Sequence, residues 1–354
     1  MDVKLQNVAK DLVFSIAVIK ECNYKCGYCY PFGQNKSHGI NMSEKEFCSI
    51  IDAAYESGFI QFKISGGEPT LVKWLFPKIE EILNKYPDVE FTIITNGTHL
   101  KPYLAFLEKY RDKISIQFSL DSVSTIFKEG IYKKLDKDTC EILSTLSKNR
   151  IKTRINMVIT KQTKDEINKM IKLVADFGFS MKLFNLFIQG EYIATNGVNG
   201  VIGKYSSLSP YEYFKENYVS YDEVMDKIKE KYVVEKVESS HEEGFGSVQT
   251  TIKIGNTKIL VLNSSSGAFF NREICIKGCP LFGKSCEKGL FNPLVSSNMV
   301  LHIDDCNNSN YRWNLRGKSH EEMLKSIEEI VNLFNNIEFV NNPINNYHTK
   351  NKAT

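Results

Sequence analysis

From Leu12 to Ile19 the chain is apolar at every position but Ser15, and beyond it short apolar stretches alternate with longer amphipathic ones. Eight residues are the length of a buried strand rather than a helix. Ser43-Glu44-Lys45-Glu46 reads as a capping box, so a helix opens there and Gly58 stops it. Ile60 to Ile64 then reads as a strand, Val72 to Tyr86 as a helix, and Val89 to Ile94 as a strand. A helix follows from about His99 to Arg111, a strand from Ile114 to Leu120, and a helix from about Thr139 to Asn149. Ile151 to Ile159 is a strand, Asp165 to Gly178 includes a helix, and Met181 to Ile188 is a strand. This order predicts an α/β fold in which residues 1–190 form a partial (β/α)6 TIM-like barrel around one parallel sheet. By analogy with complete barrels, chemistry belongs at the C-terminal strand ends.

The pattern weakens over 191–246, a turn-rich linker or lid. Asn196-Gly197 and Asn199-Gly200 mark turns, and helix starts lie at Ser209-Pro210-Tyr211-Glu212 and Ser220-Tyr221-Asp222-Glu223. Thr250 to Ile254 and Lys258 to Leu262, joined by Gly255-Asn256-Thr257, read as a hairpin, and Glu321 to Phe334 as a helix. Residues 247–340 are therefore expected to form a C-terminal α+β extension. The Asn- and Lys-rich stretch 341–354 reads as a disordered tail.

Composition narrows the class. With 42% apolar and 25% charged residues among 354, this is the make-up of a globular protein. A net charge of +3 is too small to argue for nucleic acid or an anionic membrane surface, and no apolar run is long enough to span a bilayer. The first apolar run has no basic segment before it and is followed by Lys20 and Glu21, so it is not a signal peptide. Nine cysteines without an export signal point to reduced thiols in the cytoplasm and to metal ligation. Cys48 and Cys140 lie on helical faces and are expected to pack in the core.

The other seven cysteines fall into two groups. Cys22, Cys26 and Cys29 are spaced C-x3-C-x2-C directly after the first strand. Three thiolates on so short a loop can wrap one iron–sulfur cube and leave its fourth iron without a protein ligand. Zinc is the competing ligand, but its sites usually pair C-x2-C units and need a fourth donor, and none occurs before His38. Cys275, Cys279, Cys286 and Cys306 form the second group, which could hold a cluster or zinc. Gly66-Gly67-Glu68-Pro69 ends the second strand, where two glycines let backbone approach a ligand closely. Thr95-Asn96-Gly97, Ser119, Asp121, Arg154 and Asn156 add polar groups at or within the following strands. Polar residues in apolar strands cost free energy unless satisfied, and a ligand would satisfy them.

The cysteine spacing, together with Gly66-Gly67-Glu68-Pro69 placed 37 residues beyond Cys29, resembles the radical S-adenosylmethionine (SAM) enzymes. The resemblance implies a [4Fe-4S] cluster on Cys22, Cys26 and Cys29 whose open iron chelates the amino and carboxylate groups of SAM. One electron then cleaves SAM to methionine and a 5′-deoxyadenosyl radical, which abstracts a substrate hydrogen. It further implies that Tyr28 packs on the adenine and Glu68 accepts from the SAM ammonium. Gly66, Gly67 and Pro69 would shape that contact, and Ser119, Asn156 and Phe187 would reach the rest of SAM. The second cysteine group resembles twitch or SPASM extensions, which hold an auxiliary [4Fe-4S] cluster.

Within that family the chain resembles the GTP 3′,8-cyclase group, through Ser119-Leu120-Asp121-Ser122, Gly190-Glu191 and Asp304-Asp305-Cys306. It departs from that group at Ser15, where the cyclase has a basic residue, and at Asn292-Pro293-Leu294-Val295-Ser296, where the cyclase carries an Arg-x-Arg pair. Arginines at such points hold phosphates. Lys63 and Arg154 keep two basic positions and, with Thr95, are the candidate substrate residues. The expected activity is therefore radical SAM modification of a peptide, of the kind that matures ribosomally made peptides. A small-molecule dehydrogenase or cyclase is the alternative, and a non-catalytic metal-binding protein the reading from another class. Only about eleven residues precede the first strand, too few for a leader-peptide recognition domain. An electron donor such as flavodoxin or ferredoxin is implied as partner, with neither nucleic acid nor membrane.

Overall fold

The computed structural model describes residues 9–10, 12–29, 41–124, 133–186, 210–234, 236–240, 248–263, 292–303 and 311–336. Six β/α repeats open it. The strands are β1 (Val13–Ile19), β2 (Gln61–Gly66), β3 (Glu90–Thr95), β4 (Ile114–Ser119), β5 (Thr153–Ile159) and β6 (Ser180–Asn185). Between them run α1 (Glu44–Glu56), α2 (Leu75–Lys85), α3 (Leu104–Lys109), α4 (Lys137–Lys148) and α5 (Ile167–Phe177). Then come α6 (Pro210–Asn217), α7 (Tyr221–Lys229), β7 (Lys236–Ser240), β8 (Val248–Ile254), β9 (Thr257–Asn263), β10 (Pro293–Val295), β11 (Val300–Ile303), β12 (Arg312–Asn314) and α8 (His320–Asn336).

One sheet runs through the described residues in the order β12-β11-β10-β1-β2-β3-β4-β5-β6-β9-β8-β7. β1 to β6 pair in parallel with their sequence neighbours, as a partial barrel requires. β9 adds in parallel to β6, and β10 adds in parallel to β1. The C-terminal segment thus contributes strands to both ends of the barrel sheet, with antiparallel β8–β7 and β11–β12 outermost.

Strand alternation separates two faces. Phe62, Ile64, Phe91, Ile93, Ile116, Phe118, Ile155, Met157, Met181 and Leu183 are buried in the hydrophobic core. Lys63, Thr92, Ser115, Gln117, Arg154, Asn156 and Lys182 fall on the opposite, half-buried inner face. β1, flanked by β10 and β2, is buried along Phe14–Val18. The capping box at Ser43 and Glu46 forms as expected, and a second one closes on Ser220 and Glu223.

Three local expectations are corrected. α2 begins at Leu75 rather than Val72, because Pro77 lacks an N–H and is tolerated only in a first helical turn. The helix expected over His99–Arg111 splits into a short 3-10 turn at Lys101–Tyr103, which holds Pro102, followed by the brief α3. Cys140 is exposed rather than in the core, since the Asp136 cap sets α4 so that Ile142, Leu143 and Leu146 face inward. Cys48 is half-buried against the core. No helix among the described residues is long and apolar enough to cross a membrane.

Candidate functional site

β1 delivers the chain into the loop that carries Cys22, Cys26 and Cys29. Cys26 is buried, its side chain 3% exposed, while Cys22 and Cys29 are half-exposed. The Cys29 N–H donates to the Cys26 carbonyl at 3.0 Å, which closes the turn between them. The three thiols are near enough to feel one another. Burial pushes the Cys26 thiol up to about 12, with Asp121 and Cys29 adding to the rise and Lys133 opposing it. Burial also raises Cys22, and Glu68 and Cys29 reinforce this against the Tyr24 N–H and Lys133.

The Gly-Gly-Glu-Pro turn at the end of β2 crosses the start of this loop. Gly67 N–H donates to the Ile19 carbonyl at 2.7 Å and Glu68 N–H to the Glu21 carbonyl at 2.9 Å. The crossing leaves no room for side chains. A Cβ on Gly67 would sit 2.0 Å from the Glu21 carbonyl oxygen, and one on Gly66 would sit 2.4 Å from that of Ile19. Gly66 also has φ +133°, a conformation that glycine adopts freely and L-residues rarely do. What the glycines approach closely is therefore the backbone of the cysteine loop itself.

Glu68, 1% exposed, joins the ends of β2 and β3. Its Oε1 accepts from Thr70 N–H at 3.1 Å, the Thr70 hydroxyl at 2.6 Å and the Thr95 hydroxyl at 2.6 Å, and Oε2 accepts from Asn96 N–H at 2.6 Å. Oε2 keeps a lone pair for a further donor. Pro69 starts the 3-10 turn that Glu68 caps. The Thr95 hydroxyl also accepts from Gly97 N–H at 2.9 Å, so it is turned into the structure of the site. Asn96 reaches the cysteine loop, where its Nδ2 donates to Asn23 Oδ1 at 2.9 Å and to Cys22 Sγ at 3.7 Å. A second N–H, that of Tyr24, points at Cys22 Sγ from 3.4 Å.

On the other side of the loop, the Tyr28 hydroxyl donates in a short bond to Asp121 Oδ2, whose Oδ1 accepts from Val158 N–H at 2.9 Å. Burial raises the pKa of both Tyr28 and Asp121. Lys133 stands over the Tyr28 ring with Nζ 5.3 Å from its centroid. Burial opposes its charge, but Cys26, Asp121, Cys29 and Cys22 together hold the ammonium protonated above the ordinary lysine range. Tyr213 of α6 covers the loop at Gly27, where a Cβ would come 2.8 Å from its ring. Deeper in, Ser119 pairs in register with Asn156. The Asn156 amide accepts from Arg154 Nε at 3.1 Å and donates to Gln117 Oε1 at 3.2 Å.

The structure thus gathers Cys22, Cys26, Cys29, Tyr28, Gly66, Gly67, Glu68, Pro69 and Thr95 around one loop, with Ser119, Asn156, Lys63 and Arg154 along the sheet. Phe187 and the second group, Cys275, Cys279, Cys286 and Cys306, lie outside the described residues. The contacts of Asn96, Lys133 and Tyr213 had no local sequence signal beyond a polar residue at the end of β3. Among the described residues no three His, Cys, Asp or Glu side chains converge on a single metal ion. Three thiols on one short loop, with the Asn96 and Tyr24 N–H groups aimed at Cys22 Sγ, are a donor set that an iron–sulfur cube would take.

Residues 16–174 match the model of the radical SAM superfamily. A probable GTP 3′,8-cyclase of Methanococcus maripaludis is 34% identical over 128 residues, covering 34% of this chain and 39% of that protein. The antilisterial bacteriocin subtilosin biosynthesis protein AlbA of Bacillus subtilis is 29% identical over 171 residues, 46% of this chain and 37% of that one. The chain therefore spans well under half the length of these curated relatives. Among solved structures, Streptococcus suis SuiB bound to S-adenosylmethionine superposes with TM-score 0.54 at 17% identity, over 90% of this chain and 66% of that one. SuiB bound to its precursor peptide SuiA gives TM-score 0.53. The shared fold is the radical SAM partial barrel.

Proposed function

Since residues 16–174 are a radical SAM domain, we propose that the protein reductively cleaves SAM and abstracts a hydrogen from a peptide substrate, as a maturation enzyme of the reducing cytoplasm. The observation that carries this is the crossing of the Gly-Gly-Glu-Pro turn over the three-cysteine loop, with backbone bonds of 2.7 and 2.9 Å between them. Cys22, Cys26 and Cys29 would hold a [4Fe-4S] cluster. When bound, cluster and SAM supply the electron transfer and the hydrogen-abstracting species. The protein's part is orientation. Oε2 of Glu68 keeps a lone pair for the SAM ammonium, Tyr28 presents a ring held by Asp121, and Ser119 and Asn156 line the way inward. Tyr213 covers the loop at Gly27, and Lys133 stands over the Tyr28 ring.

Two likenesses support a peptide substrate: SuiB is known bound to its precursor peptide, and AlbA is named for the biosynthesis of a bacteriocin. A small-molecule reading draws on the cyclase relatives. Against GTP itself, the stretch where the cyclase family carries its arginine pair forms β10 here, with Pro293, Leu294 and Val295 all buried and none able to hold a phosphate. Cys275, Cys279, Cys286 and Cys306 would hold an auxiliary [4Fe-4S] cluster, and a flavodoxin or ferredoxin would supply electrons.

Anaerobically reconstituted protein should bind about eight irons per chain and yield 5′-deoxyadenosine with dithionite and SAM. About four irons would remove the auxiliary cluster, and zinc at the trio without SAM turnover would overturn the proposal. A second expectation concerns Asn96. N–H dipoles aimed at a cluster sulfur stabilise the reduced, more negative state. Asn96→Leu should leave the iron content unchanged and lower the potential of the N-terminal cluster, on the order of tens of millivolts, in an EPR-monitored redox titration. An unchanged potential would show that the 3.7 Å contact to Cys22 does not tune the cluster.

A further inference from the structure

Two bonds from the turn after β2 grip the chain just before Cys22: Gly67 N–H holds the Ile19 carbonyl and Glu68 N–H the Glu21 carbonyl. The strand ladders do not reach so far. Pairing of β1 with β10 ends at Ile16, and pairing with β2 ends at Ile19, after a register shift between Ala17 and Ile19. Lys20 N–H thus lies beyond both neighbouring strands. A segment held only through carbonyls on one edge can still swing about that edge.

Asn41 supplies what the ladders lack, from 21 residues further along the chain. Its Oδ1 accepts from Lys20 N–H at 3.1 Å, and its Nδ2 donates to Glu21 Oε2 at 2.6 Å. One side chain therefore holds both residues that precede the first thiol. An amide suits this place, because it offers an acceptor to the N–H and a donor to the carboxylate, a pair that neither Asp⁻ nor Leu provides. Asn41 is itself anchored. Met42 beside it is buried, at 3% exposure, and the Ser43–Glu46 capping box fixes the start of α1 directly afterwards. The Asn41 carbonyl lies 3.5 Å from Arg316 Nη2, which reaches the Ser297 carbonyl at 3.4 Å, so the C-terminal segment backs the same point.

We propose that Asn41 is a positioning residue for the cysteine trio: it locks the approach to Cys22 against the start of α1 and so fixes the loop relative to Glu68. The inference rests on the reading of this loop as the cluster-bearing site, and adds a residue outside the loop on which SAM binding depends. Glu68 would hold the SAM ammonium while the trio holds the cluster that SAM chelates, so the two must keep one spacing. A displacement of about 1 Å between them would spoil the joint fit.

Hydrogen exchange of the full, cluster-free chain, read by mass spectrometry, tests the lock without iron or SAM. Asn41→Leu should speed exchange over Lys20–Cys22 several-fold and leave the amides of α1 at their native rates. After reconstitution the same variant should keep its iron and raise the KM for SAM several-fold. Asn41→Asp keeps the acceptor for Lys20 but sets a carboxylate against Glu21, and should raise KM too. Glu21→Gln added to it should bring KM back, since the new amide can donate to the new carboxylate. A merely structural role at the start of α1 would not respond to a change at residue 21. Unchanged exchange over Lys20–Cys22, or faster exchange with unchanged KM, refutes the proposal, as does an Asn41→Asp effect that Glu21→Gln leaves uncorrected. Should Asn41→Leu fold poorly, the Asn41→Asp pair decides alone. An unsubstituted protein that does not turn over SAM would overturn the radical SAM reading, while the exchange comparison still decides whether Asn41 holds the loop, so the two fail separately.

Discussion

Cys26→Ala should abolish formation of 5′-deoxyadenosine and halve the iron content, from about eight to about four per chain. Of the three thiols in the loop Cys26 is the most enclosed, at 3% exposure, and its carbonyl already holds the turn to Cys29 through a 3.0 Å bond that alanine would keep. The loop should therefore survive while its metal corner is lost. The two remaining thiolates cannot fix a cube with one open iron. The loss should exceed the roughly 10–100-fold that removal of an outer-shell partner costs a metal site. Anaerobic turnover with dithionite, with iron analysis and EPR on the same sample, reads both effects. Cys48→Ala, on α1 and away from the loop, is the control and should change neither. A Cys26→Ala protein that still cleaves SAM would mean that the electron enters SAM elsewhere.

Gly67→Ala should be nearly as damaging, through packing rather than ligation. Its new Cβ would meet the Glu21 carbonyl oxygen at 2.0 Å, the Glu21 carbonyl carbon at 2.4 Å and the Lys20 oxygen at 2.5 Å. All three are backbone atoms and none can swing aside. Either β2 leaves β1 at its end or the cysteine loop is pushed off its course. Both break the 2.7 and 2.9 Å bonds that tie the two segments. We expect a loss of about 3 kcal/mol or more in urea unfolding, at the upper end of overpacking effects, together with loss of the N-terminal cluster. Gly178→Ala provides the contrast. Gly178 has φ +70° but nothing within 4 Å of its missing Cβ, so only the backbone penalty of about 1 kcal/mol applies. Equal effects at the two positions would show that the crossing is loose.

Much of the barrel was legible because its strands alternate and its helices have clear starts. Ser43 with Glu46, and the apolar run ending at Ile19, act over a few residues, and periodicity reads such distances well. β10 and β12 were not legible, since three residues are too few to show alternation. The hairpin of β8 and β9 could be read, but not that β9 would pair with β6: alternation fixes which face a residue takes, not which strand lies beside it. The candidate site shows the same division. Cys22, Cys26, Cys29 and Gly66-Gly67-Glu68-Pro69 stood out by spacing. That Gly67 makes way for Glu21, and that Lys133, Asp121 and Tyr28 lie together on one flank, depends on chain segments brought together from far apart.

The pairing of β1 with β10 joins Ser15 to Leu294. On a ribosome adding about 5–20 residues per second, the strand that leads into the cysteine loop must wait on the order of half a minute for its second neighbour. Through that interval the edge of β1 that β10 will cover stays an open ladder beside the cysteine loop. Iron delivery and chaperone protection would then act after translation is nearly finished, and expression at lowered temperature with iron-delivery proteins should raise the soluble, loaded fraction together.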